Sequence, residues 1–345
     1  MRRVYLALLA FLAVGLSACS KAPLHHQESF VFGTRVEILI AVLDETKARP
    51  AASAVLREFD RLHRTYHAWQ PSELSALNAA IASGKAHDVS PEMASLLLDA
   101  QQRSALGDGL FDPGIGGLIR LWGFQADDFK PLLPDPAALS AWRTARPGIA
   151  DLHLSGTRVS SRKPQVAIDF GGYLKGFALD RAATILHDHG VNNALVNIGG
   201  NVMALGTKNG EHWRVGIQNP RQPGPLATVA LLDGEAIGTS GDYQRYFELD
   251  GKRYCHLLDP RSGSPVMHTQ TVTVLITPRP NAGTLSDMAS KPLFISGTDW
   301  PELARKMGVD QVLRIDSAGQ MQVSQKLFGR LEFVKGKPEK IEIVP

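Results

Sequence analysis

The sequence predicts an α+β (mixed α/β) fold with mostly antiparallel or mixed sheets and packed helices. Short strand-like runs recur from Leu152 onward, helical stretches interrupt them irregularly rather than in strict alternation, and Asp250-Gly251 separates two strand-like runs as a hairpin turn. A parallel barrel requires regular alternation, so this pattern argues against one.

The chain opens with Arg2-Arg3 and an apolar run from Val4 to Leu16 that is too short for a comfortable permanent span, which reads as an export signal. The run closes on Leu16-Ser17-Ala18-Cys19, which resembles the lipobox of bacterial lipoproteins. The expected organisation is a signal peptide over residues 1–18, a lipidated tether over 19–28 that begins at Cys19, and one domain over 29–345. Ser20 to Glu28 are polar and include Pro23, as suits a tether. The expected location is a membrane surface facing the periplasm, with Ser20 in place of an aspartate favouring onward sorting to the outer membrane.

Removal of eighteen residues from 345 leaves 327, one large or two ordinary domains, and the linker signal is too weak to cut the chain into independently folding halves. Hydrophobic residues at 44% and charged residues at 21% describe a chain with a substantial core, which excludes disordered and fibrous classes. Lys+Arg 37 against Asp+Glu 34 leaves no basic footprint for nucleic acid. The cysteines are Cys19 and Cys255, so lipid on Cys19 leaves no intramolecular disulfide.

The elements follow from periodicity. Phe30 to Leu43 is β-branched and apolar and reads as one strand with a tight feature at Gly33-Thr34. Lys47 to Tyr66 has helical spacing through Val55, Phe59 and Leu62. Ser90-Pro91-Glu92 is an N-cap, a first-turn proline and an acidic residue, opening a helix to about Ala105. Asp127 to Pro147 is a proline-rich excursion with a short helix. Strands are expected at Val166–Asp169, Ala194–Ile198, Trp213–Gln218, Ala227–Leu232, Tyr243–Leu249, Arg253–Leu257, Gln311–Ile315 and Gln320–Val323. Helices are expected at Leu174–His189, Thr284–Ile295 and Trp300–Met307.

Several catalytic patterns are absent: no G-x-x-x-x-G-K-[ST] phosphate loop, no G-x-S-x-G elbow, no H-E-x-x-H and no paired C-x-x-C. Asp169-Phe170-Gly171 matches a kinase tripeptide without the companion kinase motifs. The chemistry therefore rests on glycine-rich clusters. Asp169-Phe170-Gly171-Gly172 precedes a helix that carries Lys175 in its first turn, an arrangement suited equally to a phosphate site and to a plain tight turn. Thr239-Ser240-Gly241-Asp242 leads into the hairpin, and His256 stands at the end of its outgoing strand, where an imidazole can act as a general base or remain structural. Asp287 begins a helix, where a carboxylate can bind a hard cation or favour the helix dipole.

Together these segments resemble the FAD:protein FMN transferase (ApbE) family. The likeness runs from Phe32-Gly33-Thr34 through Ser72 to Asn78, Phe111-Asp112-Pro113, Leu121-Trp122-Gly123-Phe124, Asp169 to Arg181, Asn197-Ile198-Gly199-Gly200, Trp213 to Pro220, and Thr239 to Tyr243, then to His256 to Pro260. Each piece is weak alone, and their joint order behind a lipobox is specific. The resemblance implies that FAD is split at its pyrophosphate and that FMN is attached through its phosphate to a threonine of a target redox protein, with release of AMP. It places Phe32, Trp69, Trp122, Gly123 and Phe124 around the ring systems, Asp169 and Lys175 on FAD, and Leu257 against the cofactor. His256 would activate the threonine or assist departure of AMP. Mg²⁺ would bind at the Gly172 carbonyl and Asp287.

Two departures stand out. Family members commonly carry threonine four residues after the metal-binding aspartate, and this chain has Lys291 there, next to Ser290. Either Ser290 and water complete the metal shell, or the Lys291 ammonium partly replaces the cation. The Trp69-Gln70-Pro71 loop is also one residue shorter than usual. The readings that remain are a membrane-tethered transferase, an FAD pyrophosphatase giving FMN and AMP, and an FAD-binding lipoprotein without activity.

Overall fold

A computed structural model describes residues 24–41, 45–126 and 128–345. The expected signal peptide, Cys19 and the first tether residues lie outside these. The described residues begin with the hairpin β1 (Leu24–Val31) and β2 (Thr34–Ala41), followed by α1 (Glu45–Thr65), α2 (Glu73–Ala82), β3 (His87–Asp88) and α3 (Pro91–Leu106). Next come α4 (Gly116–Leu121), α5 (Pro136–Ala145), β4 (Leu152–Ser155), β5 (Arg158–Ser161) and α6 (Leu174–Asp188). Strands then dominate: β6 (Ala194–Ile198), β7 (Asn201–Leu205), β8 (Trp213–Gln218), β9 (Pro225–Leu231) and β10 (Ala236–Gly241). They continue as β11 (Tyr246–Leu249), β12 (Lys252–Cys255), β13 (Leu258–Asp259), β14 (Ser264–Pro265) and β15 (Thr269–Ile276). The chain ends with α7 (Ala282–Ile295), α8 (Trp300–Lys306), β16 (Val312–Asp316), β17 (Met321–Ser324), α9 (Gln325–Phe328), β18 (Glu332–Phe333) and β19 (Ile341–Val344).

The main sheet has nine strands in the order β1-β2-β6-β7-β10-β15-β16-β17-β19, antiparallel throughout except for the parallel β17/β19 edge. The expected α+β class is the one observed. One apolar cluster joins the sheet to the helices through Ile38, Val196 and Val272 against Phe59, Ala178 and Met288. A second cluster packs the smaller β18-β9-β8 sheet, through Trp213, Val215 and Leu231, onto Ile237, Leu275 and Leu313. A third gathers Trp122, Phe124, Trp142, Phe247 and Leu258 around α4, α5 and the β11–β12 hairpin. Among the described residues no helix is long and apolar enough to cross a membrane.

Three expectations need correction. The expected single strand from Phe30 is, over its described part to Ala41, a hairpin, with Val31 opposite Thr34 and positive φ at both Phe32 (58°) and Gly33 (68°). Two consecutive positive φ values define the tight turn whose twist matches paired strands, and a phenylalanine there hides the usual Asn-Gly signal. Leu24 to Glu28, expected in the tether, form the start of β1, because their backbone pairs with Glu37 to Ala41 whatever their polarity. Val166–Asp169 is an extended segment with a single parallel bridge, Ala167 to Ile115, and no ladder. The strand β15 gave no alternating signal because all eight residues are buried between layers.

Candidate functional site

The site is built where α6 crosses α7. A Cβ on Gly176 would lie 2.4 Å from the Gly283 carbonyl oxygen and 2.7 Å from Asp287 Cβ, so only glycine permits this approach. Close contact lets the Gly176 amide donate to Asp287 Oδ2 at 2.8 Å. Asp180, one turn further along α6, accepts from the Gly283 and Thr284 amides at 2.8 Å each and from Thr284 Oγ1 at 2.6 Å. Its carboxylate thus caps α7, whose own N-cap residue Asn281 supplies no side-chain bond. Burial raises the Asp180 carboxyl pKa while these hydrogen bonds oppose the rise.

Asp287 is completely buried, and Lys291 one turn on bonds both its Oδ1 and its carbonyl oxygen, the latter at 2.7 Å. Ser290 Oγ donates to the same carbonyl at 2.7 Å and meets Ser240 Oγ of β10 at 2.7 Å. A Cβ placed on Gly172 would lie 3.5 Å from Lys291 Cε, so the lysine stem reaches from α7 to the glycine pair ahead of α6. The expected metal set of Gly172, Asp287 and Ser290 does not fit a divalent ion. Each Asp287 carboxylate oxygen has a partner, Ser290 is tied to β10, and an ammonium is not a metal ligand. A divalent ion about 4 Å from that ammonium would be repelled by about 8 kcal/mol at an effective dielectric near 20. Among the described residues, the group of His, Asp or Glu close enough to hold a metal is His26, Glu28 and Glu37 on the β1–β2 hairpin, where Arg35 already bridges both glutamates.

His256 follows β12 directly, and the two-residue Asp250-Gly251 turn sets the register that brings it opposite Arg245. Its amide and its Nδ1 both lie on the Arg245 carbonyl oxygen, at 3.0 and 3.1 Å. A carbonyl only accepts, so Nδ1 carries the proton and Nε2 keeps the lone pair. Burial, then the positive charges of Arg245 and Lys175, pull the His256 pKa down to about 3, leaving a neutral imidazole. Lys175 is pulled below the usual lysine range by burial, with Asp287 opposing and Lys291 and Arg245 adding to the effect. Three cations thus face one carboxylate around a neutral base. A bound anion with two negative charges would complement this excess and favour the charged form of Lys175.

Other expected residues are placed unevenly. Asp169 Oδ1 accepts from the Gly171 amide at 2.8 Å and Oδ2 from Gln125 Nε2 at 3.0 Å, so its carboxylate shapes the turn ahead of α6. Phe32 and Trp69 stand at the ends of an aromatic row through His63 and His67, with neighbouring ring centroids 5.9, 5.1 and 4.6 Å apart. Trp69 is 43% exposed, a free face for stacking. Trp122 and Phe124 are instead core residues. Trp122 is 5% exposed, donates Nε1 to the Gly263 carbonyl at 2.9 Å and stacks on Tyr254, while Phe124 packs among Phe129, Phe247 and the edge of His256. Gly123 makes the turn between them at φ +76°, and Leu257 is buried beside His256.

The roles of Arg245, Asp180 and Ser240 escaped the sequence reading. Arg245 was accessible in principle, since the hairpin turn fixes which residue faces His256. Asp180 and Ser240 lie inside segments the sequence singles out, but their individual roles were hidden because their partners lie 103 and 50 positions away.

A helix-crossing carboxylate, nearby lysines and a neutral imidazole thus meet in one site of an α+β fold. The chain belongs to the ApbE family, whose model matches residues 32–313. It is similar to a FAD:protein FMN transferase of Rhodobacter capsulatus, 39% identical over 316 residues, which cover 91% of this chain and 60% of that protein. The chain therefore spans 60% of that relative's length, less than two thirds. A FAD:protein FMN transferase of Haemophilus influenzae is 30% identical over 84% of each chain. The crystal structure of the ApbE protein of Thermotoga maritima superposes with a TM-score of 0.81 at 30% identity, covering 89% of this chain and 99% of that one.

Proposed function

We propose that the protein is a FAD:protein FMN transferase, and the neutral imidazole of His256 among Lys175, Arg245 and Lys291 carries this reading. The pyrophosphate of FAD takes the place among these cations, with the flavin or adenine ring on the Trp69 side of the aromatic row. His256 Nε2 accepts the proton of a target threonine hydroxyl. The threonine oxygen then bonds to the FMN phosphorus, the bond from that phosphorus to the bridging oxygen breaks, and AMP leaves with the electron pair. Arg245 holds the imidazole through its carbonyl, and the lysines neutralise charge that builds on the departing phosphate. No step passes through magnesium, since the side chains of Asp287 and Ser290 expected to hold it are already engaged.

The lipobox supports an exported protein anchored by lipid at Cys19 and facing the periplasm, where its targets would be membrane or periplasmic redox proteins. Cys19→Ser should release it from membranes, and unacylated wild-type protein in the soluble periplasm would refute the anchor. The activity is tested with FAD and a threonine-containing target peptide, followed by mass measurement. A peptide heavier by FMN with equimolar AMP is expected. FMN and AMP beside an unmodified peptide would make the protein a pyrophosphatase, and intact FAD under all conditions would overturn both.

A further inference from the structure

Lys291 is the one residue of α7 that is not buried, in a helix whose other thirteen residues are. Its side chain is only 13% exposed, and its ammonium lies on the fully buried Asp287 carboxylate. Building on the transferase reading, we propose that the Lys291 ammonium is this chain's catalytic cation, meeting the FAD pyrophosphate in the position a divalent metal would otherwise hold.

Geometry supplies three arguments. The lysine stem passes within 3.5 Å of where a Gly172 Cβ would stand, so it spans the two places, Gly172 and Asp287, from which a metal would be held. An ammonium has three N–H donors, and Asp287 takes two, through its carbonyl oxygen and Oδ1. The third remains for a phosphate oxygen. Asp287 is itself braced by the Gly176 amide, and Ser290 is turned to Ser240, so the ammonium is held by a rigid crossing rather than a solvated arm. Lys175 and Arg245 stand on the other elements of the site, and their charges are felt at His256 together with that of Lys291.

The step balances without a metal. The threonine oxygen bonds to the FMN phosphorus, its proton passes to His256 Nε2, the bond to the bridging oxygen breaks, and AMP carries away the electron pair. Lys291 keeps all its protons and stabilises the charge on the phosphates by direct hydrogen bonding.

The test combines Mn²⁺ binding, followed by paramagnetic resonance, with AMP release from FAD and a threonine-containing target peptide in EDTA or in Mg²⁺, on the full-length protein. Wild type is expected to bind no Mn²⁺ at this site and to release AMP equally in EDTA and Mg²⁺. Lys291→Met should lose AMP release by about a hundredfold or more even at saturating FAD, as when one oxyanion-stabilising donor is removed. Lys291→Thr should acquire one Mn²⁺ site, abolished by the further change Asp287→Asn, and its AMP release should become Mg²⁺-dependent. Stoichiometric Mn²⁺ on wild type that Asp287→Asn removes, or loss of its AMP release in EDTA, overturns the built-in cation. Absence of AMP from wild type under every condition overturns the transferase reading instead, and the Mn²⁺ arm still decides whether Lys291 excludes a metal.

Discussion

The Gly176 amide donates to Asp287 Oδ2 across the α6–α7 crossing at 2.8 Å, and the same glycine is the point at which no side chain fits. One position therefore sets both the helix spacing and the direction of the buried carboxylate. The local motif signals a helix start, and the structure makes that start a support for a residue more than a hundred positions away.

Gly176→Ala should force the helices apart, because its Cβ would meet the Gly283 carbonyl oxygen at 2.4 Å. Overpacking of this kind costs about 1–3 kcal/mol, read as a lower denaturant midpoint with an unchanged slope. FAD turnover should fall further than FAD affinity, since the displaced group is Asp287 with its lysine. Unchanged stability would mean that the crossing relaxes freely.

Lys175→Ala should weaken FAD binding measured by calorimetry, and the loss should shrink as salt rises because screening reduces the contribution of a half-buried charge. Equal affinity for the variant and wild type at low salt would remove Lys175 from the phosphate site.

His256→Ala should retain FAD and lose transfer by roughly a hundred- to ten-thousandfold, the range that positioned acid–base groups supply. The folded His256 pKa is lowered to about 3, so the basic form prevails at every pH above that value. The acid limb of kcat/KM, which reports the free enzyme, should therefore lie well below the ordinary histidine pKa of about 6.5. A limb near neutrality would contradict the burial of this imidazole.

Asp112 is held by the Gly114 and Ile149 amides at 2.7 and 2.8 Å, yet burial raises its carboxyl pKa to about 6. The folded state therefore binds this proton more tightly than the unfolded chain, and the group disfavours folding as pH rises through the window from about 4 to about 6. Relative to Asp112→Asn, wild-type stability should fall across that window by about 3 kcal/mol, since each tenfold difference in proton affinity between the folded and unfolded chain is worth about 1.4 kcal/mol. Parallel stability curves for the two proteins would show that Asp112 titrates normally.

The helix starts at Pro91 and Leu174, the Asp250-Gly251 hairpin and the order of glycine clusters were legible because each is a local matter of capping, positive φ or periodicity. The Phe32-Gly33 turn was not, since phenylalanine adopts positive φ there under tertiary packing on Phe59 and His63 rather than by propensity.

The sequence by itself determined the class of fold, the family likeness and the identities of His256, Lys175, Asp287 and Lys291 as groups able to act. Only the tertiary structure decided what they do to one another. It paired Lys291 with Asp287, buried Trp122 and Phe124 as core, and placed Arg245 behind His256. Spacing along the chain fixes local geometry, whereas the charge state of an imidazole or the engagement of a carboxylate depends on burial and on neighbours supplied by distant segments.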